Sequence, residues 1–172
     1  MRKFGQIFRF LIPVIALVAL VVFMTGAGRR RRAAEEKKAK FDQFVQEAWN
    51  TGNPDLLDEV FAPDVVYHNY PNADLEGLEA YKQRLTNCRG ALPDLQVTIL
   101  ERFVEGDTII SHWTVRGTHT GEAWGPPSGK ELTSTGCDIA RWVDGKVVEI
   151  WNYEDKLAFM QQLGFKLVPP EE

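Results

Sequence analysis

Three histidines and one strand acid are the groups of this 172-residue chain best suited to moving a proton. Imidazole titrates near neutral pH, so a histidine beside a bound carbonyl can act as base or hydrogen-bond the oxygen. His68 lies in Val65–Tyr70, which reads as a short strand. It either serves a ligand there or fixes backbone at a pocket rim. His119, in Gly-Thr-His-Thr-Gly, shares strand parity with Trp113, Val115 and Gly117, which extends their inward face. The other reading is a turn residue tied to Thr118 or Thr120. His112 has the opposite parity and reads as a solvent-side or inter-helix residue. Asp138 lies between Cys137 and Ile139, in phase with Ala140 and Trp142. If that face lines a cavity, desolvation raises its pKa toward a useful value. Otherwise it is an exposed sheet residue or a partner for Arg116 or Arg141.

Asn152 cannot shuttle a proton near pH 7, because an amide does not titrate there, but its N–H groups can hold a carbonyl oxygen. Tyr67, Trp113, Trp142 and Tyr153 are more often core residues than ligand platforms. Around a pocket, one or two of them would give an apolar wall suited to a hydrophobic molecule. No Gly-rich phosphate loop, Gly-x-Ser-x-Gly elbow or metal-ligand cluster is present. Cys88 and Cys137 have neither metal nor redox spacing and read as ordinary buried thiols.

These groups need elements to position them. Phe41, Phe44, Val45, Ala48 and Trp49 recur at helical spacing, and Thr51-Gly52-Asn53-Pro54 stops that helix. A short helix over Asp55–Ala62 follows. After the strand Val65–Tyr70, the pattern predicts a helix near Leu75–Arg89, with Leu78, Tyr81 and Leu85 on one side. The rest is β: Leu95–Val104, Asp107–Thr118, a Gly/Pro-rich loop Gly121–Gly129, then Lys130–Val143 and Lys146–Tyr153, these last two joined by Asp144-Gly145. Asp155 caps a final helix, Lys156–Leu163, which Gly164 ends. This order predicts an α+β fold with a mainly antiparallel sheet. A strong bend in that sheet, with helices on its concave side, would close a pocket.

Charge divides the chain. Residues 1–40 carry ten Lys/Arg and two acids; residues 41–172 carry ten Lys/Arg and 22 acids. The acidic body argues against nucleic acid as a partner. The run Phe10–Met24 is unbroken apolar sequence, and with its flanks (residues 7–28) it spans about one bilayer. It predicts a single-pass N-terminal anchor over residues 1–28, a basic linker over 29–40 and a folded domain over 41–172. A cleaved signal peptide is the competing reading. Arg29–Arg32 after the run favours a cytoplasmic domain by the positive-inside rule.

Several segments resemble the SnoaL-like polyketide cyclases, or ester cyclases, of the nuclear-transport-factor-like superfamily. They are Ala62-Pro63-Asp64-Val65-Val66-Tyr67-His68, Pro93-Asp94-Leu95, Gly106-Asp107, Gly117-Thr118-His119-Thr120-Gly121, Val143-Asp144-Gly145-Lys146-Val147-Val148-Glu149, and Trp151 with Asp155 and Gln161-Gln162-Leu163-Gly164. They run in family order over roughly residues 41–165. The resemblance implies a conical fold, a deep apolar pocket, a homodimer, and no metal or organic cofactor. It also implies ring closure by intramolecular aldol condensation, with an acid directly after the late-strand Trp as the proton carrier. Here that position is Asn152, a departure that turns attention to Asp138 on the preceding strand. The expected site is therefore His68, Asp138 and Asn152 for catalysis, and Tyr67, Trp113, His119, Trp142 and Tyr153 for binding a small apolar carbonyl compound. The expected function is a membrane-tethered cyclase or isomerase. The alternative is a non-catalytic module for a lipid-like ligand or for dimerisation.

Overall fold

The computed structural model describes residues 26–69 and 72–168. Two compact units divide the chain, Met1–Glu36 and Lys37–Glu172. In the first, residues 26–36 are helical and carry Arg29–Arg32, with Arg32 paired to Glu36 one turn on. Among the described residues no helix is long and apolar enough to cross a membrane. This overturns the expected membrane location: the helix seen there is dense with charge, which hydrocarbon does not tolerate. The apolar run Phe10–Met24, on which the anchor rested, lies outside the described residues.

The second unit opens with helical residues 37–44 (α1), which widen into a π-helical turn, Val45–Asn50. Asn53 then accepts from the Asp55 N–H, and Pro54 starts a 3₁₀ turn, Pro54–Leu56, leading into α2 (Leu57–Val60). The elements after it are β1 (Phe61–His68), β2 (Leu75–Glu76), α3 (Leu78–Ala91), β3 (Gln96–Glu105), β4 (Thr108–Thr118), β5 (Glu131–Val143), β6 (Lys146–Glu154) and α4 (Lys156–Leu163).

Two boundaries differ from expectation for physical reasons. β1 starts at Phe61, because Phe61 pairs with Val147 of β6 before the register shifts around Pro63. Leu75 and Glu76 do not enter α3: they pair with Tyr67 and Val66 as β2. Gly77, at φ 85°, then turns the chain into the helix. The hairpin at Asp144-Gly145 is as its residues dictate, with both in the left-handed region (φ 49° and 80°). Asp155 accepts from the Ala158 N–H at 3.0 Å and caps α4.

The strands form one sheet in the order β2-β1-β6-β5-β4-β3. Among the strands of the described residues, only β1 and β6 run parallel. The β4–β5 register is unbroken from Thr108–Arg141 to Thr118–Glu131, so this pair is the spine. The registers of its neighbours shift at Ile99/Glu101 and at Arg141/Trp142. Such bulges add twist and bend, and they curve the sheet around the helices. The main core lies on that inner face. Phe41, Phe44, Phe61, Tyr81 and Tyr67 form a continuous aromatic chain, with neighbouring ring centroids 5.0–5.3 Å apart, linking α1, β1 and α3. Each buried contact of this kind contributes about 0.5–1.5 kcal/mol beyond the area it covers. A smaller cluster of Ala91, Leu92, Leu95 and Leu132 fills the other end.

Candidate active site on the inner face of the sheet

Strand pairing, not sequence proximity, assembles the site. Ser111 of β4 lies opposite Asp138 of β5, and Asp138 lies opposite Asn152 of β6. Directly opposed residues in antiparallel strands share a face. That face is the inner one, since Ile109, Ser111, Trp113, Ala140, Ile150 and Asn152 on it are all buried. Asn152 Nδ2 donates to Asp138 Oδ1 at 2.7 Å. Gly136 makes room beside them: a Cβ there would sit 2.5 Å from both the Trp113 ring and the Tyr153 carbonyl oxygen. The Trp113 indole therefore lies across the strand, next to the acid.

Asp138 is half-buried by area, yet desolvation is the largest influence on it and pushes its pKa up. The Asn152 hydrogen bond, the Arg84 charge and the Trp113 indole N–H pull the other way, in that order. Three buried polar atoms around this carboxyl have no hydrogen-bond partner: Tyr67 Oη, Trp113 Nε1 and Asn152 Oδ1. The indole N–H lies near enough to Asp138 to influence it, but not in hydrogen-bonding geometry. Burial also raises the Tyr67 pKa well above its ordinary value, so its hydroxyl stays protonated and remains a donor. Buried polar atoms normally find partners, so three of them left without one beside a desolvated acid single this group out.

Of the eight expected site residues, Tyr67, Trp113, Asp138 and Asn152 come together. The other four lie elsewhere. His68 follows Tyr67 and so points to the outer face, stacked on Trp151 with ring centroids 5.1 Å apart. Its Nδ1 meets Asp74 at 2.8 Å and its Nε2 meets Glu149 at 3.0 Å. Glu149 foremost, and Asp74 with it, raise the imidazole pKa against the opposing effect of burial. His119 is buried beyond the end of β4. It bonds Ser128 Oγ through Nδ1 at 3.1 Å, stacks on Trp124, and ties the Gly-rich loop to the sheet through its own N–H and C=O. Trp142 packs in the main core, 6.4 Å from Phe41. Tyr153, opposite Cys137, is exposed on the outer face.

Four further residues sit within electrostatic reach of this group and escaped the sequence reading: Tyr81, Arg84 and Cys88 of α3, and Glu154 of β6. A signal existed for Arg84. Tyr81, Arg84, Leu85 and Cys88 recur at helical spacing, which puts a cation on the face that buries. Among the described residues, no group of three or more His, Cys, Asp or Glu side chains is placed to hold a metal ion.

Comparison with known proteins bears on the fold and the family. No curated protein sequence matches the chain. Solved structures do. A protein assigned to the SnoaL-like polyketide cyclases, from Jannaschia sp. CCS1, superposes with a TM-score of 0.70 at 24% identity, over 79% of this chain and 94% of that one. IdmH from Streptomyces antibioticus, assigned as a polyketide cyclase, gives a TM-score of 0.65 at 27% identity, over 75% of this chain and 99% of its own. A protein with a ketosteroid isomerase-like fold from Catenulispora acidiphila shares the architecture alone (TM-score 0.63, 18% identity, covering 76% and 97%). The family model described as SnoaL-like polyketide cyclase matches residues 39–163, and the chain belongs to that family.

Proposed function

We propose that the domain binds a small apolar carbonyl compound between α3 and the inner face of the sheet, and cyclises or isomerises it by acid/base chemistry. The observation that carries this reading is Asp138: a carboxyl with burial-raised pKa, oriented by Asn152 and ringed by unpartnered polar atoms. In the forward step the Asp138 carboxylate removes a proton from the carbon next to the ligand carbonyl. The C–H electron pair becomes an enolate, whose oxygen accepts from Tyr67 Oη–H and Trp113 Nε1–H. For cyclisation, the enolate carbon attacks a second carbonyl of the same molecule, a C–C bond forms, and the new alkoxide takes the proton back from Asp138. For isomerisation, the same proton returns to a different carbon. Asn152 replaces the acid of the family pattern and keeps its neighbour's carboxyl aimed. His68, with both ring nitrogens occupied on the other face, has no part in this reading.

The test needs no natural substrate. In D₂O, the full chain should catalyse exchange of the α-hydrogens of 1-tetralone above the buffer rate, followed by NMR. Asp138→Asn should remove the catalysis while the melting temperature holds. Exchange at the buffer rate by the wild type, with binding intact, would instead support the non-catalytic ligand-binding reading that Asn152 suggests.

A homodimer is part of the proposal. Phe103, Ile110, Ile139 and Trp151 lie in register across the outer face, and Phe103, Ile110 and nearby Tyr153 are exposed. Such a row suits burial against a second copy. Light scattering should give twice the chain mass, and Phe103→Asp should halve it.

A further inference from the structure

Arg84 stands apart from the other enclosed arginines. Arg89 donates to the carbonyl oxygens of Trp49, Asn50, Leu95 and Pro93 at 2.7–3.2 Å. Arg102 reaches Asp42, Ser111 Oγ and the Lys38 carbonyl. Arg102 also lies 5.0 Å from the Phe41 ring centroid and leaves Nη2 unpartnered, so what sets Arg84 apart is that it makes none of these hydrogen bonds. Arg84 instead lies over two rings, 4.8 Å from the centroid of Tyr67 and 5.3 Å from that of Trp49. Among the described residues nothing accepts a hydrogen bond from it, and no carboxylate comes within ion-pair distance.

A guanidinium keeps its charge at any working pH and carries five N–H donors around a planar edge. Two aromatic faces attract it, but they do not satisfy those donors. Its charge is felt by Tyr67, Tyr81, Cys88, Glu154 and Asp138, the groups gathered around the candidate acid. A planar cation held over two rings, with donors unspent, matches a carboxylate, whose two oxygens accept two parallel N–H bonds.

We propose that Arg84 anchors an ionised carboxylate on the ligand, so that the site takes an apolar molecule bearing an acid group. This rests on the pocket reading above and adds the substrate class to it. The carboxylate lies against the Arg84 edge, the apolar body lies along Trp113 and Tyr81, and the reacting carbonyl reaches Asp138. Recognition by charge also fixes the direction in which the ligand enters.

Calorimetry with 1-naphthoate and methyl 1-naphthoate, which differ in charge, tests it on the full chain at pH 7. The wild type should bind the acid roughly tenfold or more tightly than the ester, the usual worth of a charge-assisted pair. Arg84→Met should bring the ratio to about one while leaving the ester's affinity in place. Arg84→Lys, a point charge without the fork, should keep the ester and lose several-fold of the preference. Should Arg84→Met fail to bind even the ester, the lysine variant decides alone. Equal binding of both probes by the wild type, or a preference unchanged in the variants, overturns the anchor and leaves the pocket reading standing. Binding of neither probe by the wild type overturns both.

Discussion

The two faces of the sheet each hold a titratable group among aromatic rings, and they treat it in opposite ways. On the outer face, His68 is engaged at both nitrogens, and Glu149 in turn pairs with Arg141. Every charge there has an opposite within contact, and water reaches the edge of the group. On the inner face, Asp138 has one hydrogen bond, a raised pKa, and neighbours with orphaned polar atoms. A satisfied network gains stability and has nothing left for a ligand. An unsatisfied one costs stability and persists where a ligand completes it. Substitutions should therefore trade stability against activity with opposite sign on the two faces.

The largest effect should come from Asp138→Asn. Tetralone exchange should fall by roughly 10²–10⁴-fold, the usual worth of a positioned base. Melting temperature should hold or rise, because a desolvated acid is removed. A comparable loss on replacing His68 with Gln would break the contrast between the faces.

Next is Gly136→Ala. The added methyl meets the Trp113 ring and the Tyr153 carbonyl oxygen at 2.5 Å, and neither can yield freely. Urea unfolding should show a loss of about 1–3 kcal/mol, the cost of overpacking, with a shift in tryptophan emission as the indole is displaced. An unchanged emission maximum would mean that Trp113 is not set by this glycine.

Tyr67→Phe sharpens the comparison further. It removes a buried hydroxyl with no partner, so stability should rise by up to about 1 kcal/mol, while exchange falls roughly tenfold through loss of an enolate donor. Loss of stability would show that the hydroxyl is satisfied after all.

The smallest effect belongs to the outer face, and its sign depends on pH. The folded state raises the His68 pKa, mainly through Glu149. That contribution is full below the ordinary 6.5 and is lost as pH rises through the folded value. The Glu149 pKa is lowered, by His68 first and then Arg141. Its contribution is full above 4.5 and is lost as pH falls through the folded value. The pair therefore stabilises most between 4.5 and 6.5. Glu149→Gln should cost at most about 1 kcal/mol near pH 6, less at pH 9, and leave exchange at pH 7 within a factor of two. A loss that does not shrink at pH 9 would show that the His68 charge is not its source.

How far the sequence could be read follows the range of each interaction. The Asp144-Gly145 hairpin and the Asp155 cap depend on neighbours in the chain and were legible, as was the last helix to its bounds. The segment Leu75–Gly77 looked helical, because its diversion into β2 depends on β1, a partner that periodicity does not see. The candidate site divides the same way. Parity put Asp138 in phase with Trp142, and the resemblance drew attention to Asn152. It did not show that strand pairing sets the two opposite each other.

By itself, then, the sequence determined the α+β order, the turns, the caps and the family, because each is written in local spacing and residue type. Tertiary structure alone decided three things. It chose which parity faces inward on each strand, and so sent Tyr67 to the inner face and His68 to the outer one. It laid Arg84 over two rings, contributed by the π-helical turn and β1. It also left the Tyr67, Trp113 and Asn152 polar atoms without partners around one acid. All three depend on strand register and bulges, which are set by pairing between residues far apart in the chain.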